Sequence, residues 1–538
     1  MDKIRRPEEF ELLGRTSSES GLSSSNFSDC EYEVENDILR SIKRKTQLPS
    51  WRLLAGLPSR WAHQSVRHSR PRRSHRLYWR LAALPFVILL LLTIFTAIFL
   101  PSYTNLPEHY KVLEQKCEES QDPGRGNIND EKVLIAATLY DHDGLLLGGD
   151  WSKAVVELVQ LLGPWNVHVS IYENDPDELA QRSLSELKNR LNCNTSIVSD
   201  RLALGEIPSV TLPSGENGTK RMAFLAEVRN RALRPLQDSS SRFDKILFLN
   251  DVMFNPIDAV QLLFSTNVDK LGRAQYGAAC AVDFINVFKF YDRFATRDLE
   301  GYETGVPFFP WFTAAGGAAS RQDVLSQTDA VRVRACWGGM TAFEASWFQK
   351  DNIDIHSLST KRTTDREPAK TNISPLRFRY EPDTFWDASE CCLIHADLTY
   401  LRHGHDIEND AGIYMNPYVR VAYDSKTLGW LPFTRRIERL YPFIHNIVNE
   451  IGGLPKFNPR RLEQSGDEVT EMVWEYDHDS NSRGNISDDS RRDGSYHEVR
   501  RTANPGRFCG RRLLSVLRDD AKEGEKKYMS VPLPLLPD

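Results

Sequence analysis

Leu81 to Leu100 reads LAALPFVILLLLTIFTAIFL, twenty residues without a charge. At about 1.5 Å of rise per residue a helix of that length reaches roughly 30 Å, the thickness of the hydrocarbon core of a bilayer. The run divides the chain, because the segments before and after it must lie on opposite sides of a membrane. Pro85 stands near its start, where a missing N–H matters least. Arg60, Arg67, Arg70, Arg72, Arg73, Arg76 and Arg80 precede the span, whereas Glu108, Glu114, Glu118 and Glu119 come after it. The excess of basic residues on the cytoplasmic flank of such spans places the N-terminus in the cytoplasm. Some eighty residues precede the run, so it reads as a signal anchor and not as a cleaved leader.

Two further features fit a lumenal location for the rest of the chain. Sequons stand at Asn194, Asn217, Asn372 and Asn485. Seven of the eight cysteines lie beyond the span, in a compartment that permits disulfides, and the odd number leaves at least one without an intrachain partner. The formal net charge of −6 is small for 538 residues, and the basic clusters lie outside the organised region, which gives nucleic-acid binding little support.

Residues 1–80 are rich in Ser, Arg and Glu and read as a disordered cytoplasmic tail. Residues 101–130 read as a lumenal stem, and 131–455 as one catalytic-size domain. Within it VLIAATLY, VHVSIYE and FDKILFLND have the character of buried strands, separated by WSKAVVELVQLLGPW, DELAQRSLSELKNRL and RMAFLAEVRNRALRPL at helical spacing. That alternation predicts an α/β domain, a mostly parallel sheet flanked by helices. Residues 456–538 are highly charged and predict a mostly disordered extension, with a segment near 505–518 returning to the domain.

Parallel sheets bind ligands beyond the carboxyl ends of their strands. Asn250 and Asp251 stand at such an end, and acids are depleted within strands, so Asp251 calls for a reason. It either caps the helix that starts near Pro256 or holds a metal ion. A tethered lumenal α/β domain with a carboxylate there suits sugar transfer from a nucleotide donor, whose departing diphosphate gains charge that a divalent ion offsets. Oxygen ligands suit Mn²⁺ or Mg²⁺. Arg229 and Asn230, on the preceding helix, are candidates for contact with the donor. Trp311 and Trp337 are candidates for stacking on acceptor sugars, with Gly338 and Gly339 permitting close approach of backbone. Glu390 and Asp298 are carboxylates suited to orienting an acceptor hydroxyl.

The ordered motifs FLAEVRNRAL, ILFLNDVMF, AACAVDF, YDRFATRDLEG, RACWGGMTAFEASWF and ASECCLIHADL give the chain, over Val133 to Tyr423, a specific likeness. It resembles the fungal alpha-1,3-mannosyltransferases of the cryptococcal capsule type, glycosyltransferase family sixty-nine. The resemblance implies a type II Golgi membrane enzyme with a GT-A-like domain and a divalent ion. It would transfer mannose from GDP-mannose to a glycan or polysaccharide with retention of configuration. It makes Asp251 the acid of a degenerate D-x-D with Asn250 beside it, His395 a second metal ligand with Asp397 as alternate, and Asp283 a donor-binding residue. The chain departs from the family at YENDPDELA, where a Gly- and Ser-rich turn is expected, and at Gly338, where an Asn is expected. A non-catalytic lumenal scaffold or export factor, and a transferase using another donor such as UDP-xylose, are the alternative readings.

Overall fold

The computed structural model describes residues 73–141, 143–213, 215–238, 241–349, 374–404, 410–476, 494–518 and 527–536. The tail before residue 73 and the sequons at Asn26, Asn372 and Asn485 lie outside them. Helix α1 (Arg73–Phe99) carries the apolar run up to Phe99, and nearly all side chains from Ala82 to Phe99 are exposed.

The segment expected to be a stem is instead packed on the domain. Helix α2 (Glu108–Glu119) buries Tyr110, Leu113 and Cys117, and Tyr103 ahead of it is fully buried. The Tyr103 hydroxyl donates to the Val324 carbonyl at 3.0 Å, and Asn416 donates to the Tyr110 hydroxyl at 2.6 Å. Aromatic and aliphatic side chains at helical spacing make this stretch a core layer, which the charged residues between them conceal in the sequence.

Strand β1 (Val133–Leu139), helix α3 (Asp150–Leu162), strand β2 (Val167–Asn174), helix α4 (Glu178–Arg190) and strand β3 (Asn194–Asp200) keep to the predicted alternation. Helix α5 (Arg221–Ala232) leads to β4 (Lys245–Leu249) and helix α6 (Pro256–Phe264). Strands β3, β2, β1 and β4 are neighbours in that order and parallel throughout, with Ala137 beside both Ile171 and Leu249. Successive β4 residues alternate between two cores: Ile246 and Phe248 pack on the side of α5, Leu247 and Leu249 on the side of α3 and α6. Burial on both faces explains why these strands read as unbroken apolar runs. Val155, Leu158, Val159 and Leu162 of α3 lie on one face, and each contributes about 1.5–3 kcal/mol by burial.

Beyond β4 the sheet is mixed. Strand β5 (Ala278–Asn286) pairs with the short β6 (Lys289–Phe290), and β7 (Arg297–Asp298) with β8 (Val331–Ala335). Strand β9 (Met340–Glu344) inserts antiparallel between β4 and β5, so a later strand completes the centre of the sheet. After helix α7 (Glu390–His403), strand β10 (Ile413–Ala422) runs parallel to β5. Helices α8 (Ser425–Thr434) and α9 (Tyr441–Gly452) close this half.

The extension expected to be mostly disordered is largely built into the domain. Strands β11 (Glu468–Tyr476) and β12 (Gly494–Thr502) form a hairpin, and β13 (Ser515–Leu517) pairs with β14 (Tyr528–Ser530). Gly510 and Arg511 pair with Ala388 and Asp387, and Cys509 is disulfide-bonded to Cys392 on α7. Arg460, Arg501 and Arg507 bridge to Asp383, Glu463 and Glu471, so the charges that suggested disorder are partners of one another. The second disulfide joins Cys280 to Cys336, leaving Cys117, Cys193 and Cys391 as thiols among the described residues.

Candidate active site

A cleft opens at the carboxyl ends of β1 and β4, lined among others by Arg229, Asn250, Asp251, Asp292, Trp337 and Glu390. Strand β4 delivers the central pair. The Asn250 N–H donates to the Gly339 carbonyl at 2.9 Å, and its carbonyl accepts from Trp151 Nε1 at 2.9 Å. With its backbone held on both sides, Asn250 points Oδ1 at Arg229 Nη1 (3.2 Å) and Trp337 Nε1 (3.3 Å).

Arg229 sits at the last turn of α5 and is held from three directions. Its Nε donates to Glu390 Oε1 at 2.8 Å, Asn250 receives Nη1, and the guanidinium lies 4.5 Å over the Trp337 ring. Glu390 opens α7, whose cap is Ser389, accepting from the Cys391 N–H at 3.2 Å; the helix dipole favours an acid there. This buried pair is internally neutralised.

Asp251 does not cap the next helix. Asn255 does, its Oδ1 accepting from the Ile257 N–H at 3.0 Å, with Pro256 as first helical residue. The Asp251 carboxyl is pushed up to about 6 by burial, helped by Asp292 and Asp141, while Arg229 acts in the opposite direction. Asp292 is raised too, chiefly by burial; its Oδ2 accepts from the Gly339 N–H at 3.2 Å. Three acids, Asp251, Asp292 and Glu390, therefore line a cleft that has two arginines, Arg221 and Arg229, and Arg229 is already paired with Glu390. The lining is acidic on balance, and Asp251 and Asp292 are oxygen donors of the kind that could hold a divalent cation.

Glu173, at the end of β2, is fully buried and pushed up to about 8 by burial. Its Oε1 accepts from the Asp141 N–H at 2.7 Å, and its Oε2 meets no donor among the described residues. A second cavity adjoins the cleft through Tyr140, Arg221 and Leu225 and continues past Asn174 and Arg201 to Arg518, Lys527 and Tyr528 of the C-terminal hairpin.

Arg229, Asn250, Asp251, Trp337 and Glu390 are thus brought together at one cleft, but Trp337 is 1% exposed, its ring packed against Arg229, Phe248 and Phe378, so it is not open to stack on an acceptor sugar. The other candidates lie elsewhere. Asn230 clamps the Phe378 backbone, donating to its carbonyl and accepting from its N–H, both at 2.8 Å. Asp283 stands behind the cleft, accepting from the Asp292 N–H at 3.1 Å and the Tyr423 hydroxyl at 3.1 Å. Asp298 closes a turn, accepting from the N–H groups of Glu300 and Tyr302, and burial pushes it up to about 7. Trp311 is fully buried between Phe290 and Phe309.

His395 is not beside Asp251. It lies on α7, which reads as a strand only because that helix is buried nearly all round; its Nδ1 is 2.6 Å from the Cys391 carbonyl and its ring packs on Phe343. Burial pushes it down to about 4. Its nearest sulfurs, Cys280 and Cys336, are spent in a disulfide and cannot ligate a metal. The alternate, Asp397, is paired with Arg379 through both carboxylate oxygens at 2.7 and 2.8 Å. Sequence reasoning missed Asp292, which lies inside YDRFATRDLEG; only the fold brings that loop to the end of β4. Gly338 is explained by geometry: its φ is +61°, and a Cβ would lie 1.9 Å from the Ala281 carbonyl oxygen, which leaves no room for an Asn.

Residues 132–397 match the profile of the family described as cryptococcal mannosyltransferase 1. No curated protein matches the chain. Among solved structures, the mannosyltransferase PcManGT from Pyrobaculum calidifontis, in complex with GDP-Man and Mn²⁺, is 9% identical; the similarity covers 64% of this chain and 79% of that one at a TM-score of 0.30. GalNAc-T7 with UDP, GalNAc and Mn²⁺ is 11% identical over 60% and 52% of the two chains, TM-score 0.29. Mannosyl-3-phosphoglycerate synthase from Rubrobacter xylanophilus is 12% identical over 75% and 93%, TM-score 0.27. With the cleft residues Arg229, Asn250, Asp251, Asp292, Trp337 and Glu390 all inside the matched stretch, the chain is a glycosyltransferase whose domain is similar to that mannosyltransferase family.

Proposed function

We propose that the chain is a single-pass type II membrane enzyme with its domain in the Golgi lumen. It transfers mannose from GDP-mannose to a glycan or polysaccharide acceptor, in α-1,3 linkage and with retention of configuration. The observation that carries this reading is Asp251, a carboxylate at the carboxyl end of a central strand, open to the cleft and relieved of capping by Asn255. The apolar helix and the family match support the anchor and the sugar.

In this reading the nucleotide occupies the cavity that runs past Arg201 and Arg221 toward Arg518 and Lys527, and the diphosphate reaches the cleft. A Mn²⁺ or Mg²⁺ ion held by Asp251 and Asp292 would offset the charge growing on the departing diphosphate. Arg229 keeps a fixed guanidinium at the cleft, and its partners Glu390, Asn250 and Trp337 set its orientation before substrate arrives. Because Glu390 is committed to Arg229, it serves as a positioning carboxylate and not as a covalent nucleophile. The acceptor hydroxyl attacks the anomeric carbon on the face from which the diphosphate leaves, the bond from that carbon to the phosphate oxygen breaks, and the hydroxyl proton passes to the departing diphosphate.

The test is a turnover screen of the purified full chain in detergent, with GDP- and UDP-sugars and mannosides as acceptors, in the presence of Mn²⁺. Mannosyl transfer from GDP-mannose alone is the expected result. Transfer from UDP-xylose, or none from any donor while the nucleotide still binds, would overturn it.

A further inference from the structure

Helix α9 is folded inside out, and α8 beside it also turns large apolar side chains outward. On α9 the buried positions are polar: His445 and Asn449 bond to each other at 2.8 Å, Arg321 reaches His445 at 3.1 Å, and Asn449 Oδ1 accepts from the Val306 N–H at 2.8 Å. Its apolar side chains Phe443, Ile444 and Ile447 face outward. Helix α8 buries Leu431 with Thr427 and Thr434, yet it too exposes large apolar side chains, Trp430 and Phe433. These five apolar side chains are 43–74% exposed, whereas an amphipathic helix of a water-soluble surface turns such residues inward.

The turn between the two helices, Arg435–Leu440, packs on the end of α1. Arg436 Nε donates to the Ala97 carbonyl at 3.0 Å, Arg435 Nη1 to the Tyr103 carbonyl at 2.9 Å, and Thr96 is the one residue of that last turn fully covered. These contacts fix the exposed aromatic face at the level where the apolar helix ends. Trp and Phe beside exposed Arg436 and Arg439 match the composition of interfacial helices, which sink an apolar face into the headgroup boundary while long basic side chains reach back to phosphate.

From this we infer that the α8–α9 face is a second membrane contact, a lipid-docking surface that lays the domain against the leaflet in which α1 ends. The inference rests on α1 being the membrane span. It replaces a domain lifted on a stem with one seated on the bilayer, its orientation set by two attachments.

The experiment uses the full chain reconstituted in phosphatidylcholine vesicles, with one fluorescent unnatural amino acid placed singly at Phe433, Phe443 or Ile447. Leu90 within α1 and Leu179 on α4, beside the opposite edge of the sheet, serve as controls, and melting temperature verifies folding of each variant. Vesicles with nitroxide-bearing lipids are expected to quench the three α8–α9 probes and Leu90 by roughly twofold or more, and Leu179 by almost nothing, as burial of an apolar face in the headgroup boundary requires. Quenching at Leu90 without quenching at 433, 443 and 447 would overturn the inference and leave the span intact. Blue-shifted but unquenched emission at these three sites would also overturn it, in favour of a second protein on this face. No quenching at Leu90 would remove the span reading itself.

Discussion

Asp251→Asn should make the protein more stable and nearly inactive. In the folded chain the Asp251 carboxyl is raised from its ordinary 3.8 to about 6, burial being the largest cause. A raised acid contributes stability that is full below pH 3.8 and is lost as pH rises through 6, because only the unfolded chain ionises freely in that window. Asn mimics the protonated side chain at every pH. At pH 8 without metal, the variant gains about 1–3 kcal/mol, the upper figure coming from about 1.4 kcal/mol per pH unit and the lower from the partial solvent contact of the site. The gain should vanish toward pH 4. Asn255 carries the cap, so no helix is lost to offset it. The assay is denaturant unfolding of both proteins at pH 8 and pH 4 with chelator, repeated at pH 8 with Mn²⁺, alongside initial transfer rates. Mn²⁺ at a hundred times its dissociation constant stabilises the wild type by about 2.7 kcal/mol and the variant far less. Transfer falls at least about a hundredfold, the scale of lost electrostatic stabilisation of a leaving group. A variant that is less stable at pH 8, responds to Mn²⁺ like the wild type and still turns over would refute the assignment.

A chain beginning at Asn127 loses Tyr103, Tyr110 and Leu113 from the core, and it should be destabilised by roughly 5 kcal/mol or more and aggregate, whereas a chain beginning at Leu100 keeps its melting transition. Glu173→Gln should flatten the dependence of unfolding free energy on pH between 4.5 and about 8 by one proton, about 1.4 kcal/mol per pH unit, because the buried acid stays protonated through that range when folded. An unchanged slope in pH-dependent denaturation would show that Glu173 ionises normally. Gly338→Ala places a methyl 1.9 Å from the Ala281 carbonyl and should lower Tm by about 10 °C or more; wild-type melting would contradict the backbone geometry. Mass-spectrometric site mapping should find glycan at the exposed Asn194 and Asn217 and none at Asn26, and glycan at Asn26 would reverse the orientation across the membrane.

What could be read in the sequence was local. Strands β1 to β4 and their helices succeed one another in space as in the chain, so apolar runs and helical spacing suffice to place Asp251 at a strand end. The insertion of β9 between β4 and β5 depends on pairing across some ninety residues, for which no nearby signal exists. Helix α7 misled because burial on nearly all sides erases its period, although Ser389 ahead of Glu390 already marks a helix start. Acid and base were legible as charge and not as partnership. Asp397, Glu471 and Asp383 look solvated in one dimension, and in three they are the counterions of Arg379, Arg460 and Arg501. Trp311 and Trp337 both prove to be core, as most tryptophans are, and only the fold shows that Trp337 also stacks on Arg229 at the back of the cleft.

The bond between Cys392 and Cys509 also orders events during biosynthesis. Its partners lie 117 residues apart, so at about 5–20 residues per second Cys392 is synthesised several seconds or more before Cys509 exists. During that interval it is one of two adjacent thiols, with Cys391 beside it at the start of the helix that brings Glu390 to the cleft. A ribosome that stops after the family-matched stretch has therefore encoded every residue lining the cleft but Tyr423, and leaves the helix that bears Glu390 without its anchor. Anchoring of the helix that carries Glu390 thus waits on translation of the chain's last tenth.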